Sequence, residues 1–296
     1  MELRQLRYFV GVAEELHFGK AAERLYISTP TLSQQIKQLE REVGTTLLIR
    51  HSRGVELTPA GEVFLARARE TLQAAGLALK DTRRAAGLDE PVLRLGLLNG
   101  IPGRLPAALE QLATERFPNS TVTLQAGTTV DQLRMLGNGE IDLGLVRTPV
   151  TLPAATTSVH LASEELGVLL AATHPLADRP ELRLDDLTGL ELIWIPRASA
   201  PEFHDETLRR LGPGVRLSDI SMSHSQLRSA LLVRRDAISL GSRRAADAEV
   251  VWRPLAGRPL VARYAAVWRT DSSNPVLRAM TVSPGLTVVS QEVVVD

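Results

Sequence analysis

The stretch Ala21-Ala22-Glu23-Arg24-Leu25-Tyr26-Ile27-Ser28-Thr29-Pro30-Thr31-Leu32-Ser33-Gln34-Gln35-Ile36-Lys37-Gln38-Leu39-Glu40 decides the fold. It reads as two short helices, 18–25 and 29–43, around a turn at Tyr26-Ile27. In the first, Ala21, Ala22 and Leu25 share a face, and small alanines let a second helix cross closely. The second starts at Ser28 or Thr29, either of which can cap free backbone N–H groups. Pro30 fits the first turn, where its missing N–H costs nothing. Leu32, Ile36, Leu39 and Val43 recur at three- and four-residue spacing and form an apolar stripe. Thr31, Ser33, Gln34, Lys37, Gln38 and Arg41 point elsewhere, and none of them is acidic. Such a helix suits the DNA major groove. Gln can pair with adenine edges, Ser and Thr can reach several bases, and Lys and Arg can reach guanine or phosphate. Two crossed helices with a tight turn form a helix-turn-helix. An ordinary surface helix hairpin is the competing reading.

Working outward, residues 3–16 predict a preceding helix with Leu3, Leu6, Phe9, Val10 and Ala13 as its stripe, so three helices can close a small core. Gly44 stops the third helix. Two short strands around His51-Ser52-Arg53-Gly54 read as a β-hairpin, a wing beside the helices. Arg53 at its tip can enter a minor groove, whose negative potential attracts guanidinium; a solvated turn arginine is the alternative. Thr58-Pro59 starts a long helix that runs to about Ala86. Leu65, Ala68, Leu72, Ala75 and Leu79 alternate threes and fours as a heptad seam, which predicts a partner helix and a symmetric dimer.

Beyond Gly87-Leu88-Asp89-Glu90-Pro91, a linker, the texture changes. Strand 93–98, helix 102–117, strand 121–126, helix 130–136 and strand 141–146 predict a parallel α/β sheet. The pattern returns with strand 192–195, helix 203–211, strand 217–222, helix 226–234 and strand 237–240. Two such units predict two subdomains with a cleft between them. A strand over 260–268 and a helix over 274–280 follow, and 281–296 yields no assignment.

With 296 residues, 44% of them hydrophobic and 23% charged, the composition is that of an ordinary globular protein. No run of about 18 uncharged apolar residues predicts a membrane span, and no apolar signal core opens the chain, so a cytoplasmic location is expected. The absence of cysteine excludes disulfides and thiolate metal sites. Net charge is zero, and residues 1–58 hold eight Lys/Arg against seven Glu. Attraction to phosphate must therefore come from placement.

Ala21–Leu25, Leu32–Glu40, the run Arg53-Gly54-Val55-Glu56-Leu57-Thr58-Pro59-Ala60-Gly61 and the long helix together resemble the LysR-type transcriptional regulators. Leu93–Gly96, Gly139–Val146 and His174-Pro175-Leu176-Ala177 extend the resemblance over nearly the whole chain. It implies an α/β chain in three parts: a winged helix-turn-helix DNA-binding domain over 1–58, a linker dimerisation helix over 59–87, and an effector-binding domain over 88–296. The last would resemble type 2 periplasmic binding proteins, with subdomains at about 92–160 plus 265–296 and at 161–264. It also implies a bacterial homodimer, or homotetramer, that reads a pseudo-palindromic promoter site in double-stranded DNA, binds a small effector and acts on RNA polymerase. No cofactor or metal is implied. Thr29, Pro30, Thr31, Ser33, Gln34, Lys37 and Arg53 would contact DNA. The chain departs from the family pattern at Thr29, where glutamine is common, and at Gln34, where arginine is common. It departs again at Arg234–Ile238, which replaces a Gly-rich segment.

By position, the resemblance places Asn99, Gly100, Ile101, Thr128, Thr129, Arg147, Pro201, Phe203 and His204 around the effector. Hydroxyls and N–H groups at a helix start can hold a carboxylate, the expected effector chemistry. Each threonine can equally be a helix cap. Enzyme readings have little support. The six histidines show no close metal-ligand spacing, Asp185-Asp186 reads as a helix start, and the adjacent Ser and His of Ser223-His224-Ser225 do not by themselves make a triad. A small-molecule binding protein without DNA readout would explain 92–280 but not the helix-turn-helix.

Overall fold

The computed structural model describes residues 1–51, 54–86, 91–219, 224–282 and 286, with the backbone only at 80, 81, 84, 85, 224 and 225. The chain divides into two units, 1–83 and 84–296. Arg53, the linker at 87–90, Ser223 and most of the tail lie outside the described residues, as do the side chains of His224 and Ser225.

The first unit begins with α1 (Leu3–Glu15), α2 (Phe18–Arg24) and α3 (Thr29–Val43). Strands β1 (Leu48–His51) and β2 (Gly54–Leu57) pair antiparallel, and α4 (Pro59–Ala85) follows. Ser28 caps α3, its Oγ accepting from the Thr31 N–H, and Gly44 ends it with φ 80°. Leu6, Phe9, Val12, Ala21, Leu32, Ile36 and Leu39 close the core. Two residues assigned to apolar stripes are exposed instead: Leu3 and Val43 lie at helix ends, where the stripe turns away from the core. Glu40 joins helix to wing by accepting from the backbone N–H groups of Leu47 and Leu48 at 2.9 and 3.1 Å. At Gly61 the start of α4 presses on the same strand. A Cβ there would stand 2.1 Å from the Leu47 carbonyl oxygen, so only glycine fits.

The second unit runs β3 (Val92–Leu98), α5 (Arg104–Arg116), β4 (Thr121–Gly127), α6 (Thr129–Gly137), β5 (Leu143–Thr148), β6 (Thr156–Glu165) and β7 (Gly167–Ala171). It continues β8 (Glu191–Leu192), α7 (Pro201–Leu211), β9 (Arg216–Leu217), α8 (His224–Val233), β10 (Ala237–Gly241), β11 (Val250–Arg253), β12 (Val261–Arg269) and α9 (Pro275–Thr281). Two five-stranded sheets result, ordered β4-β3-β5-β12-β6 and β11-β7-β10-β8-β9. The strands of the expected strand-helix alternation do pair parallel, β3 with β4 and β5 and β8 with β9 and β10, but neither sheet is parallel throughout. β12 runs antiparallel to β5 and β6, and β7 runs antiparallel to β10 and β11. The chain passes between sheets at Leu166 and again between β11 and β12. The divisions expected at 160/161 and 264/265 therefore fall inside strands. Ladder pairing on both sides of a bulge at Tyr264/Ala265 keeps β6 and β12 in one sheet.

Two motifs that carried the resemblance serve the framework here. Asp142 accepts from the Arg94 guanidinium at 2.6 and 2.9 Å and from the Arg94 N–H at 2.9 Å, fastening β5 to β3. His174 accepts from the Leu176 N–H through Nδ1 at 3.1 Å and holds a turn.

Candidate DNA interface and effector cavity

Helix α3 buries Leu32, Ile36 and Leu39 completely, which turns Thr29, Pro30, Thr31, Gln34 and Lys37 to solvent. Tight burial on one side fixes the rotation of the helix, so those five side chains are presented as a set. Ser33 is different. It is half-buried, and its Oγ accepts from Arg50 Nη1 at 2.7 Å, while the Arg50 guanidinium lies 4.3 Å from the centre of the Phe18 ring. Ser33 thus ties the helix to the wing. Tyr26 in the turn is 96% exposed with φ 55°, an outward aromatic in the left-handed region. Arg24 is committed to Glu14 and Glu15, at 2.7 and 2.8 Å.

The predicted seam of α4 splits. Ala68 is buried in the unit's own core, with Leu65 and Leu72 half-buried against it. These three pack inward because the helix starts against the wing. Ala75 is half-buried, while Leu79 and Val63 are each 67% exposed.

In the second unit a cavity of about 460 Å³ takes walls from both sheets. Among the residues expected at the effector, Gly100, Arg147 and Phe203 line it. The others are engaged elsewhere. Thr128 caps α6, and its hydroxyl and N–H both donate to Asp131 Oδ2, at 2.7 and 2.9 Å. These contacts hold the Asp131 carboxyl below its ordinary range, so the helix start already has its anion. Thr129 is buried and accepts from the Arg147 N–H at 3.2 Å. The backbone carbonyl of Asn99 accepts from Arg147 Nη2 at 2.8 Å, and Ile101 packs into the core. Pro201 opens α7, and His204 sits 3.3 Å from Asp205 through Nδ1.

The polar end of the cavity is a network across the two sheets. Glu164 on β6 accepts from Arg244, at 2.9 Å for Nη2 and Oε2, with Arg244 Nε on Oε1, and from the Tyr264 hydroxyl at 3.0 Å. Burial pushes the Tyr264 phenol up to about 12, so it stays neutral. Arg147 is 5% exposed, 5.8 Å from the centre of the Phe203 ring and 5.7 Å from that of Tyr264. Its burial lowers the pKa of a strongly basic group. Opposite lie leucines of β7, α8 and β10, together with Trp194, whose indole N–H is buried without an acceptor among the described residues. Glu164, Arg244, Tyr264 and Trp194 were not singled out in the sequence. Only Tyr264 carried a signal. Positions 262, 264 and 266 of the predicted strand alternate inward and are all buried.

The chain matches the family profile described as "Bacterial regulatory helix-turn-helix protein, lysR family" over residues 3–62 and "LysR substrate binding domain" over 86–281. It is 29% identical over 286 residues to the HTH-type transcriptional regulator AlsR of Bacillus subtilis (strain 168), spanning 94% of this chain and 93% of that one. To the Hca operon transcriptional activator HcaR of Escherichia coli (strain K12) it is 32% identical over 288 residues, 94% of this chain and 95% of that one. The crystal structure of CbnR, a LysR family transcriptional regulator, superposes with a TM-score of 0.68 at 25% identity and 99% coverage of both chains. CbnR complexed with its target DNA gives the same score. With a capped, outward-facing helix-turn-helix in the first unit and a cavity in the second, the chain belongs to the LysR family, as a DNA-binding transcriptional regulator modulated by a small-molecule effector.

Proposed function

We propose that two copies of this chain, in the bacterial cytoplasm, read the two halves of a pseudo-palindromic promoter site with the exposed face of α3, and that a small anionic effector, a carboxylate, occupies the Arg147 cavity. The observation that carries the DNA reading is the complete burial of Leu32, Ile36 and Leu39, which leaves Thr29, Pro30, Thr31, Gln34 and Lys37 facing out. Gln34 is placed to pair with an adenine edge, and Lys37 to reach guanine or phosphate. Arg53 enters the neighbouring minor groove. Ser33 serves as an anchor for the wing.

Pairing of copies runs through α4. The Leu65–Leu72 part of its seam is spent on its own core, so Ala75 and the exposed Leu79 mark what a partner helix covers. The pairs associate further into tetramers. Effector binding redistributes the arrangements of the bound copies and so the access of RNA polymerase, which requires different affinity for each arrangement.

A footprint of the full chain on the DNA upstream of its own gene, across a salt series, tests this. The expected result is a protected site with two-fold symmetry. Gln34→Ala should relax base preference at one position per half-site, by ~1–3 kcal/mol. Lys37→Ala should weaken all sites alike and flatten the salt dependence. Equal loss on every sequence for both variants overturns the assignment of Gln34.

A further inference from the structure

We infer that the effector is a monocarboxylate with an apolar body, aryl or short alkyl, and that dicarboxylates and polyhydroxylated acids are excluded. This rests on the reading that the Arg147 cavity holds a small anion.

The cavity has two unlike ends. One carries Arg147, Arg244, Glu164 and Tyr264; the other is walled by Leu169, Leu227, Leu231 and Leu240 with Trp194 and Phe203. At about 460 Å³ it is the size that encloses one small ligand. The charges decide the rest. Two guanidinium groups and one carboxylate sum to one positive charge, and Tyr264 stays neutral. A fourth charged residue on the wall, Arg228, is turned to the surface carboxylates of Asp247 and Glu249 at 2.6 and 2.5 Å. One carboxylate on the ligand balances the polar end. A second would have to sit among leucines, stripped of water, where the cation among the described residues, Arg228, is already engaged by Asp247 and Glu249. Hydroxyl groups on the body would lose their water for the same apolar wall. Arg147, lying against both the Phe203 and Tyr264 rings, stands at the boundary where head and body of such a ligand meet.

The test is calorimetric titration of the full chain with phenylacetate, its neutral isostere phenylacetamide, and succinate. Binding is repeated on Leu231→Trp, which fills the apolar end, or on Leu169→Phe if the first variant does not fold by circular dichroism. Phenylacetate should bind saturably. Phenylacetamide and succinate should each bind about tenfold more weakly or worse, ~1.4 kcal/mol. The filled variant should lose phenylacetate. Succinate binding as tightly as phenylacetate overturns the monocarboxylate class and leaves the anion reading intact. Phenylacetamide binding as tightly overturns both. Phenylacetate that fails to bind sinks the inference, and if succinate fails as well the anion reading falls with it. Phenylacetate binding untouched by filling puts the site elsewhere and overturns both.

Discussion

The two units handle polar groups in opposite ways. On α3 the donors stand in water, side by side, and few are bonded to one another. Around the cavity Arg147 and Glu164 are buried, and Glu164 is bonded to the half-exposed Arg244 and to Tyr264. The first arrangement suits a partner of uniform chemistry, since DNA brings acceptors in a regular array. The second suits a ligand that must displace or join existing partners, so selectivity comes from charge balance and shape. Sequence distance differs in the same sense. In the first unit, Arg50 reaches Ser33 across 17 positions and Glu40 reaches Leu47 across seven. In the second, Glu164 meets Arg244 across 80 positions and Tyr264 across 100.

That contrast can be broken at its deepest point. Glu164→Ala leaves Arg244 and Tyr264 without their acceptor and should destabilise the second unit by ~3 kcal/mol, near the low end for a broken buried pair because Arg244 stays half in water. Hydrogen exchange should quicken in β6, β10 and β12 and stay unchanged in α1–α3. Equal quickening in α1–α3 would mean the two units do not unfold separately. In the first unit the corresponding break is Gly61→Ala. Its new methyl must push against the Leu47 backbone, which should cost ~1–3 kcal/mol and weaken DNA binding. Unchanged protection in β1 and the start of α4 would show that the wing yields freely.

Smaller effects sharpen the comparison. Ser28→Ala removes the cap of α3 and should cost ~1 kcal/mol, read as a lower melting temperature of the first unit, with Ser28→Asp restoring it. At the surface, Arg228 and the backbone N–H groups of Val250 and Glu249 hold Asp247 at about 2, below its ordinary 3.8. A lowered folded pKa adds stability above the unfolded value that is lost as pH falls through the folded one. The contribution should therefore fade between about pH 4 and pH 2. A carboxylate titration of Asp247 near 3.8 would show the ion pair to be absent in solution.

The first unit was largely legible because its helices are amphipathic and its turns carry caps and glycine. Ser28, Pro30 and Gly44 stand where the helix starts and stops. Val43 misled because a stripe says which face is apolar, not how far the core extends beneath it. The same limit applies to α4. The heptad spacing identified Leu65, Ala68 and Leu72 as a packing face, and the fold spent that face on its own domain. In the second unit β6, β7 and β11 went unread. Their side chains are buried on both faces or shielded unevenly, so the alternation that marks a half-buried strand is missing.

The threonines show the division most sharply. Thr128-Thr129 at a helix start fits an anion site and a cap equally well in sequence. Asp131, three residues on, takes the cap and closes the site.

What the sequence determined by itself was the reading helix, its exposed polar face, the long helix and the family, because those rest on contacts within a few turns. Only the tertiary structure decided that Ser33 is an anchor, that Ala68 faces inward and that Glu164, Arg244 and Tyr264 share a cavity with Arg147. The first two depend on how the wing and α4 pack onto the helices, and the last on segments 80 to 100 positions apart being brought together by burial; such pairings leave no periodic mark on either partner.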